Sequence, residues 1–150
     1  MDITIFNDKK AFLLYGVSKI HEEHKEFSKE IFEVINPVWA EVKEKSLSHK
    51  GINHVVYDVN HILFAGIELN EPIEVGIKLK EREFVFEQYA YYKHIGPYNE
   101  LDDAHRKIRS HIEALGREFT FPILEIYENP SDDETKLETE ILYTLKVQEK

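Results

Sequence analysis

Residues 121–130 read FPILEIYENP: an apolar run that opens at a proline, closes on an Asn-Pro turn and carries a carboxylate, Glu125, in its middle. Strand alternation puts Ile123, Glu125 and Tyr127 on one face and Leu124 and Ile126 on the other. An unpaired charge on a buried face is costly. Either that face is wet, or something cationic meets it.

The elements flanking this strand suggest what it belongs to. Upstream, EFVFEQYAYYKHI (83–95) predicts a long aromatic strand that Gly96-Pro97 breaks. Leu101, Ala104, His105, Ile108, Ile112 and Leu115 then mark one face of a helix that Gly116 terminates. Downstream of the turn NPSDDETK (129–136), LETEILYTLKV (137–147) predicts a further strand. The second half therefore reads strand, helix, strand, strand.

The first half has the same order. AFLLYGVSKI (11–20) predicts a strand, and Phe27, Ile31, Ile35, Val38 and Val42 give helical periodicity over residues 21–45. Pro37 lacks an amide hydrogen and clashes with the preceding turn, so Asn36 is expected to cap a principal helix beginning at Pro37, after a separate helical turn or two. HVVYDV and ILFAGIEL, joined at Asn60-His61, predict a hairpin. Between the halves, ELNEPIEVGIKLKERE (68–83) interrupts the apolar pattern with a proline, a glycine and many charges.

Two βαββ repeats, about 1–70 and 82–150, are thus expected to join as one antiparallel sheet with two main helices on one face. This is an α+β fold in a single domain spanning 1–150. Related halves leave a seam, and small-molecule clefts favour seams. A chain of 150 residues with 42% hydrophobic content is long enough to bury roughly 70% of its unfolded surface without a metal or disulfide staple.

Composition excludes several functions. With no cysteine, a disulfide framework, a thiol nucleophile and a cysteine zinc site are ruled out. A net charge of -10, from 29 acidic against 19 basic residues, repels phosphate backbones, so no direct nucleic-acid partner is expected. No apolar run approaches a membrane span and MDITIFNDKK has no signal-peptide pattern. A cytoplasmic protein that needs no membrane is the expectation. In HEEH (21–24), His21 and His24 could meet on one helical turn, but the spacing is not the zinc signature and no third ligand accompanies it. No metal and no cofactor are expected.

YAYYKHIGPYNEL, a helix, PILEIYENP and ETEILYTLK follow one another in an order that resembles the GyrI-like small-molecule-binding domain, also called the bacterial transcription activator effector-binding domain. The family pattern is a Tyr-Ala strand ending in Gly-Pro, a helix, a Pro-x-x-Glu-x-Tyr strand followed by Asn-Pro, and a terminal Thr-Glu-Ile strand. Gly16, the Ile35–Trp39 segment and Ala65-Gly66 agree more loosely in the first half. Three departures stand out: Thr144 replaces the usual proline, His111 stands where tryptophan is common, and REFTF replaces the small loop before Pro122.

The resemblance implies a role for Glu125. It matches the pocket glutamate beneath an aromatic-lined cleft that takes bulky, amphipathic, often cationic compounds, where aromatic faces and a carboxylate together select positive, planar ligands. The expected ligand-binding set is Glu125, Tyr127 on its face, Tyr89 and Tyr91 from the preceding strand in preference to Tyr92 and His94, and Trp39, Phe64 and Tyr98 by position. The expected function is a stand-alone binder or sensor of such molecules, linked to transcription through a partner protein. Two alternatives follow from the same family. One is a hydrolase of electrophilic, cyclopropane-bearing toxins using Glu125 and tyrosines. The other is a gyrase-inhibitor-like protein-interaction module.

Overall fold

A computed structural model describes residues 2–71, 77–128 and 132–147. The elements in chain order are β1 (Thr4–Phe6), β2 (Lys10–Ile20), α1 (Phe27–Lys45), β3 (Asn53–Tyr57), β4 (Ile62–Ile67), β5 (Lys80–Phe86), β6 (Tyr89–Ile95), α2 (Leu101–Ala114), β7 (Phe119–Glu128) and β8 (Glu138–Leu145). Among the described residues, eight strands and two α-helices make the α+β fold that the repeat predicts. They divide into two compact units, Ala11–Val85 and Met1–Lys10 with Phe86–Lys150.

In the first unit the strand order is β3-β4-β2-β5. The β3–β4 hairpin forms where expected: Tyr57 pairs with Leu63, and Asn60 and His61 both take positive φ, 60° and 61°, as a tight hairpin turn requires. Gly16 faces Gly66 across β2 and β4, and a Cβ added at Gly16 would lie 2.0 Å from the Ala65 carbonyl oxygen. Only a glycine lets the two backbones approach so closely.

Helix α1 runs unbroken through Pro37, so the expected cap at Asn36 does not form. The proline forfeits one hydrogen bond, a cost of about 3 kcal/mol in a helix interior. Burial of Val34, Ile35, Val38 and Val42 on the same helix, at about 1.5–3 kcal/mol per large aliphatic chain, outweighs it. The buried face also carries two carboxylates, Glu30 and Glu41, which apolar periodicity does not reveal.

In the second unit the order is β1-β6-β8-β7. The long aromatic strand expected over 83–95 is two strands, β5 and β6, parted by a bend at Glu87 and Gln88. Edge strand β1, which the repeat pattern does not include, pairs antiparallel with β6. Helix α2 buries Leu101, Ala104, Ile108 and Ile112 and is terminated by Gly116, whose φ of 70° turns the chain so that the Arg117 amide donates to the Ile112 carbonyl. At 14 residues such a helix is marginal alone, so the packing of that stripe holds it. Leu115, expected in the stripe, is 49% exposed. Strand β7 starts at Phe119, within REFTF, and its register against β8 shifts between Thr120 and Ile123. There the Thr144 hydroxyl donates to the Pro122 carbonyl at 2.7 Å. The Asn129-Pro130 turn, and Pro72 and Gly76 between the halves, lie outside the described residues.

Candidate functional site around Glu125

The β6–β8–β7 register fixes which side chains share a sheet face. Glu125 lies opposite Ile141, and Tyr127 opposite Thr139; Ile141 and Thr139 in turn lie opposite Tyr92 and His94. Directly paired residues project to one side, so Glu125, Tyr127, Tyr143, Tyr92 and His94 share a face. Tyr89 and Tyr91, paired with Thr144 and Leu142, project to the other. Choosing Tyr89 and Tyr91 as companions of Glu125 is therefore corrected by the register: of the two sets that alternation leaves open, Tyr92 and His94 share its side. Tyr89 instead stacks on Phe6 at 5.2 Å, and Tyr91 meets Phe6 edge-on at 5.9 Å.

Glu125 is 2% exposed, and both its oxygens are engaged. The Tyr127 hydroxyl donates to Oε1 at 2.8 Å, and His105 Nε2, from α2, lies 2.7 Å from Oε2. His105 Nδ1 is 2.5 Å from the Tyr143 hydroxyl, to which Arg109, one turn along α2, donates at 3.1 Å. The face is neither wet nor unmatched: α2 brings an imidazole onto the carboxylate and, two hydrogen bonds further back through the Tyr143 hydroxyl, a guanidinium.

The phenols around Glu125 are fixed as neutral donors. Burial, followed by the adjacent Glu125 charge, pushes the Tyr127 hydroxyl well above its ordinary range. Burial also drives Tyr143 up to about 12, although Arg109 pulls it down. Tyr98 is raised by burial too, and its ring meets Tyr127 at right angles, 5.2 Å between centroids. Of the expected set, Glu125, Tyr127 and Tyr98 thus form one cluster.

Trp39 and Phe64 belong to the other compact unit. Trp39 donates its indole hydrogen to Asn53 Oδ1 at 2.7 Å and packs edge-on against His49, 4.7 Å away. Phe64 is 1% exposed and lies 5.3 Å from Phe84. Sequence reasoning missed His105, Tyr143 and Arg109 as members of the Glu125 network. The signal was present for His105, which stands in the apolar stripe of α2 between Ala104 and Ile108, where a polar residue needs a buried partner. Among the described residues no group of three or more His, Asp or Glu is placed to hold a metal. His24 is exposed, whereas His21 bonds to buried Glu30 and stacks on Phe27 at 4.0 Å.

No family model matches the sequence, and no curated protein matches it. Solved structures do match. The EcmrR C-terminal domain is 16% identical with a TM-score of 0.67, over 97% of this chain and 97% of that one. EcmrR in its DNA complex is 18% identical with a TM-score of 0.70, over 96% of this chain. SAV2435 bound to tetraphenylphosphonium is 14% identical with a TM-score of 0.64, over 97% of this chain and 94% of that one. The fold is the GyrI-like one. This chain spans 57% of the length of EcmrR in the DNA complex. At these identities the likeness establishes the GyrI-like fold and nothing finer. No described helix is long and apolar enough to cross a membrane.

Proposed function

We propose that this chain binds amphipathic small molecules, cationic ones foremost, with Glu125 as the charge that selects them. The observation that carries the reading is a carboxylate held at 2% exposure by a phenol and an imidazole, with Tyr98 packed against that phenol. A buried carboxylate surrounded by aromatic rings attracts a large, weakly hydrated cation more strongly than an exposed one does. That SAV2435, of the same fold, is bound to tetraphenylphosphonium supports the choice of ligand class. Sensing that feeds transcription would pass through a partner protein, because a net charge of -10 opposes direct contact with DNA.

The test is calorimetric titration of the purified chain with tetraphenylphosphonium and with a neutral triphenyl compound of similar size. Glu125→Gln is expected to weaken the cation about tenfold or more, the scale of losing one close charge–charge attraction in a sheltered site, while leaving the neutral compound within about twofold. Equal cation affinity in the two proteins would remove Glu125 from the site. Incubation with excess electrophilic, cyclopropane-bearing substrate addresses hydrolysis: a binder gives at most stoichiometric loss, so multiple turnovers would replace binding by catalysis.

A further inference from the structure

We infer that His105 is a resident, displaceable cap on Glu125, so that cation binding competes with the imidazole and weakens as pH falls. The inference rests on the reading of Glu125 as the binding carboxylate, and adds what that reading lacks: the group a ligand must replace. His105 Nε2 holds Oε2 at 2.7 Å. Its side chain is 13% exposed against 3% for that of Glu125, so water touches the imidazole first. A solute arriving from that side meets the cap before the carboxylate. Because His105 projects from a regular turn of α2, its ring can turn outward about χ1 while the helix stays intact.

The surroundings decide the sign of the pH dependence. On its own helix His105 has Arg109, which reaches it through the Tyr143 hydroxyl. From β7 it faces Glu125 and, bonded to the same carboxylate, Tyr127. Strand β8 supplies Tyr143, β6 carries Tyr92 and His94 on the shared face, and Tyr98 packs on Tyr127. Glu125 touches the imidazole, so protonating His105 converts a hydrogen bond from a neutral imidazole to the carboxylate into an ion pair and tightens the cap. A cation seated on Glu125 has the reverse effect, repelling an imidazolium beside it. Ligand and proton therefore oppose one another, and linkage makes affinity rise with pH.

Tetraphenylphosphonium is titrated into the wild-type chain, His105→Gln and His105→Ala at several pH values between about 5 and 8. Wild-type affinity is expected to be about tenfold higher at the alkaline end than at the acid end, the scale of one charge-assisted hydrogen bond. The profile of His105→Gln is expected to be flat, because an amide replaces the imidazole without titrating. At the acid end His105→Ala is expected to bind about tenfold tighter than wild type. An unchanged slope in His105→Gln, or no gain in His105→Ala, overturns the inference. Should the variants fail to fold, imidazole nitrogen spectra of the wild-type protein decide: the cation must shift the His105 resonances, and unmoved resonances refute the cap. Failure of the inference and of the underlying reading are distinguishable. Binding that depends on Glu125 but ignores His105 removes the cap alone, whereas no binding of the cation to wild type at any pH removes both.

Discussion

Tyr127 and Glu125 are two residues apart on β7, and their hydrogen bond makes the phenol a built-in neighbour of the charge. Two roles for the tyrosine then differ in consequence. If its hydroxyl serves to satisfy the buried carboxylate, Tyr127→Phe keeps the ring and loses one donor to an ionised acceptor. That change is expected to cost about 1–3 kcal/mol of stability, read from urea midpoints. Cation affinity should hold or rise slightly, since Glu125 then has one competitor fewer. A tenfold fall in tetraphenylphosphonium affinity would instead give the hydroxyl a direct part in the bound complex.

At the scale of elements, the order strand, helix, strand, strand was legible because burial stripes write themselves into sequence. Leu101, Ala104, Ile108 and Ile112 recur at helical spacing and are all buried, and the positive φ values at Asn60 and His61 agree with the turn those residues predict. What could not be read were facts decided between elements. Pro37 argues locally for a helix start, yet the apolar face of α1 is long enough to carry the helix through it. The choice between Tyr89 with Tyr91 and Tyr92 with His94 depends on register, which alternation within one strand leaves open. His105 and Glu125 are 20 residues apart, and nothing local pairs them.

Gly16 is the clearest case of an element-level constraint. Its added Cβ would meet backbone, the Ala65 carbonyl oxygen at 2.0 Å, and backbone cannot swing aside as a flexible side chain can. Gly16→Ala is therefore expected to cost more than about 2 kcal/mol, well beyond the usual overpacking minimum. A urea midpoint within error of wild type would show that β2 and β4 separate at little cost.

For the whole molecule, stability should peak on the acid side of neutrality, because two sets of carboxyl groups pull in opposite directions. In Ala11–Val85, burial raises Glu30, but hydrogen bonds from Lys19, His21 and the Glu22 amide outweigh it and hold the carboxyl at about 2. A group depressed on folding stabilises above its unfolded value, about 4.3, and that contribution is lost as pH falls toward 2. In the other unit, a hydrogen bond shared with Glu140, together with burial, raises Glu128 to about 7. Glu140 itself is raised by burial yet ends below its ordinary range through its bonds with Glu128 and Tyr91, so the pair holds one proton between them. The folded pair keeps that proton up to about pH 7, whereas the unfolded chain gives up both near 4.3. Stability therefore declines as pH rises between those values and levels off above them. Self-repulsion at a net charge of -10 acts in the same direction. Urea midpoints taken at steps of pH should be highest at about 4.5 to 5.5. Glu128→Gln should flatten the decline toward neutrality and Glu30→Gln the loss in acid. Wild-type midpoints that rise steadily from pH 5 to 8 would show that no proton is shared between β7 and β8.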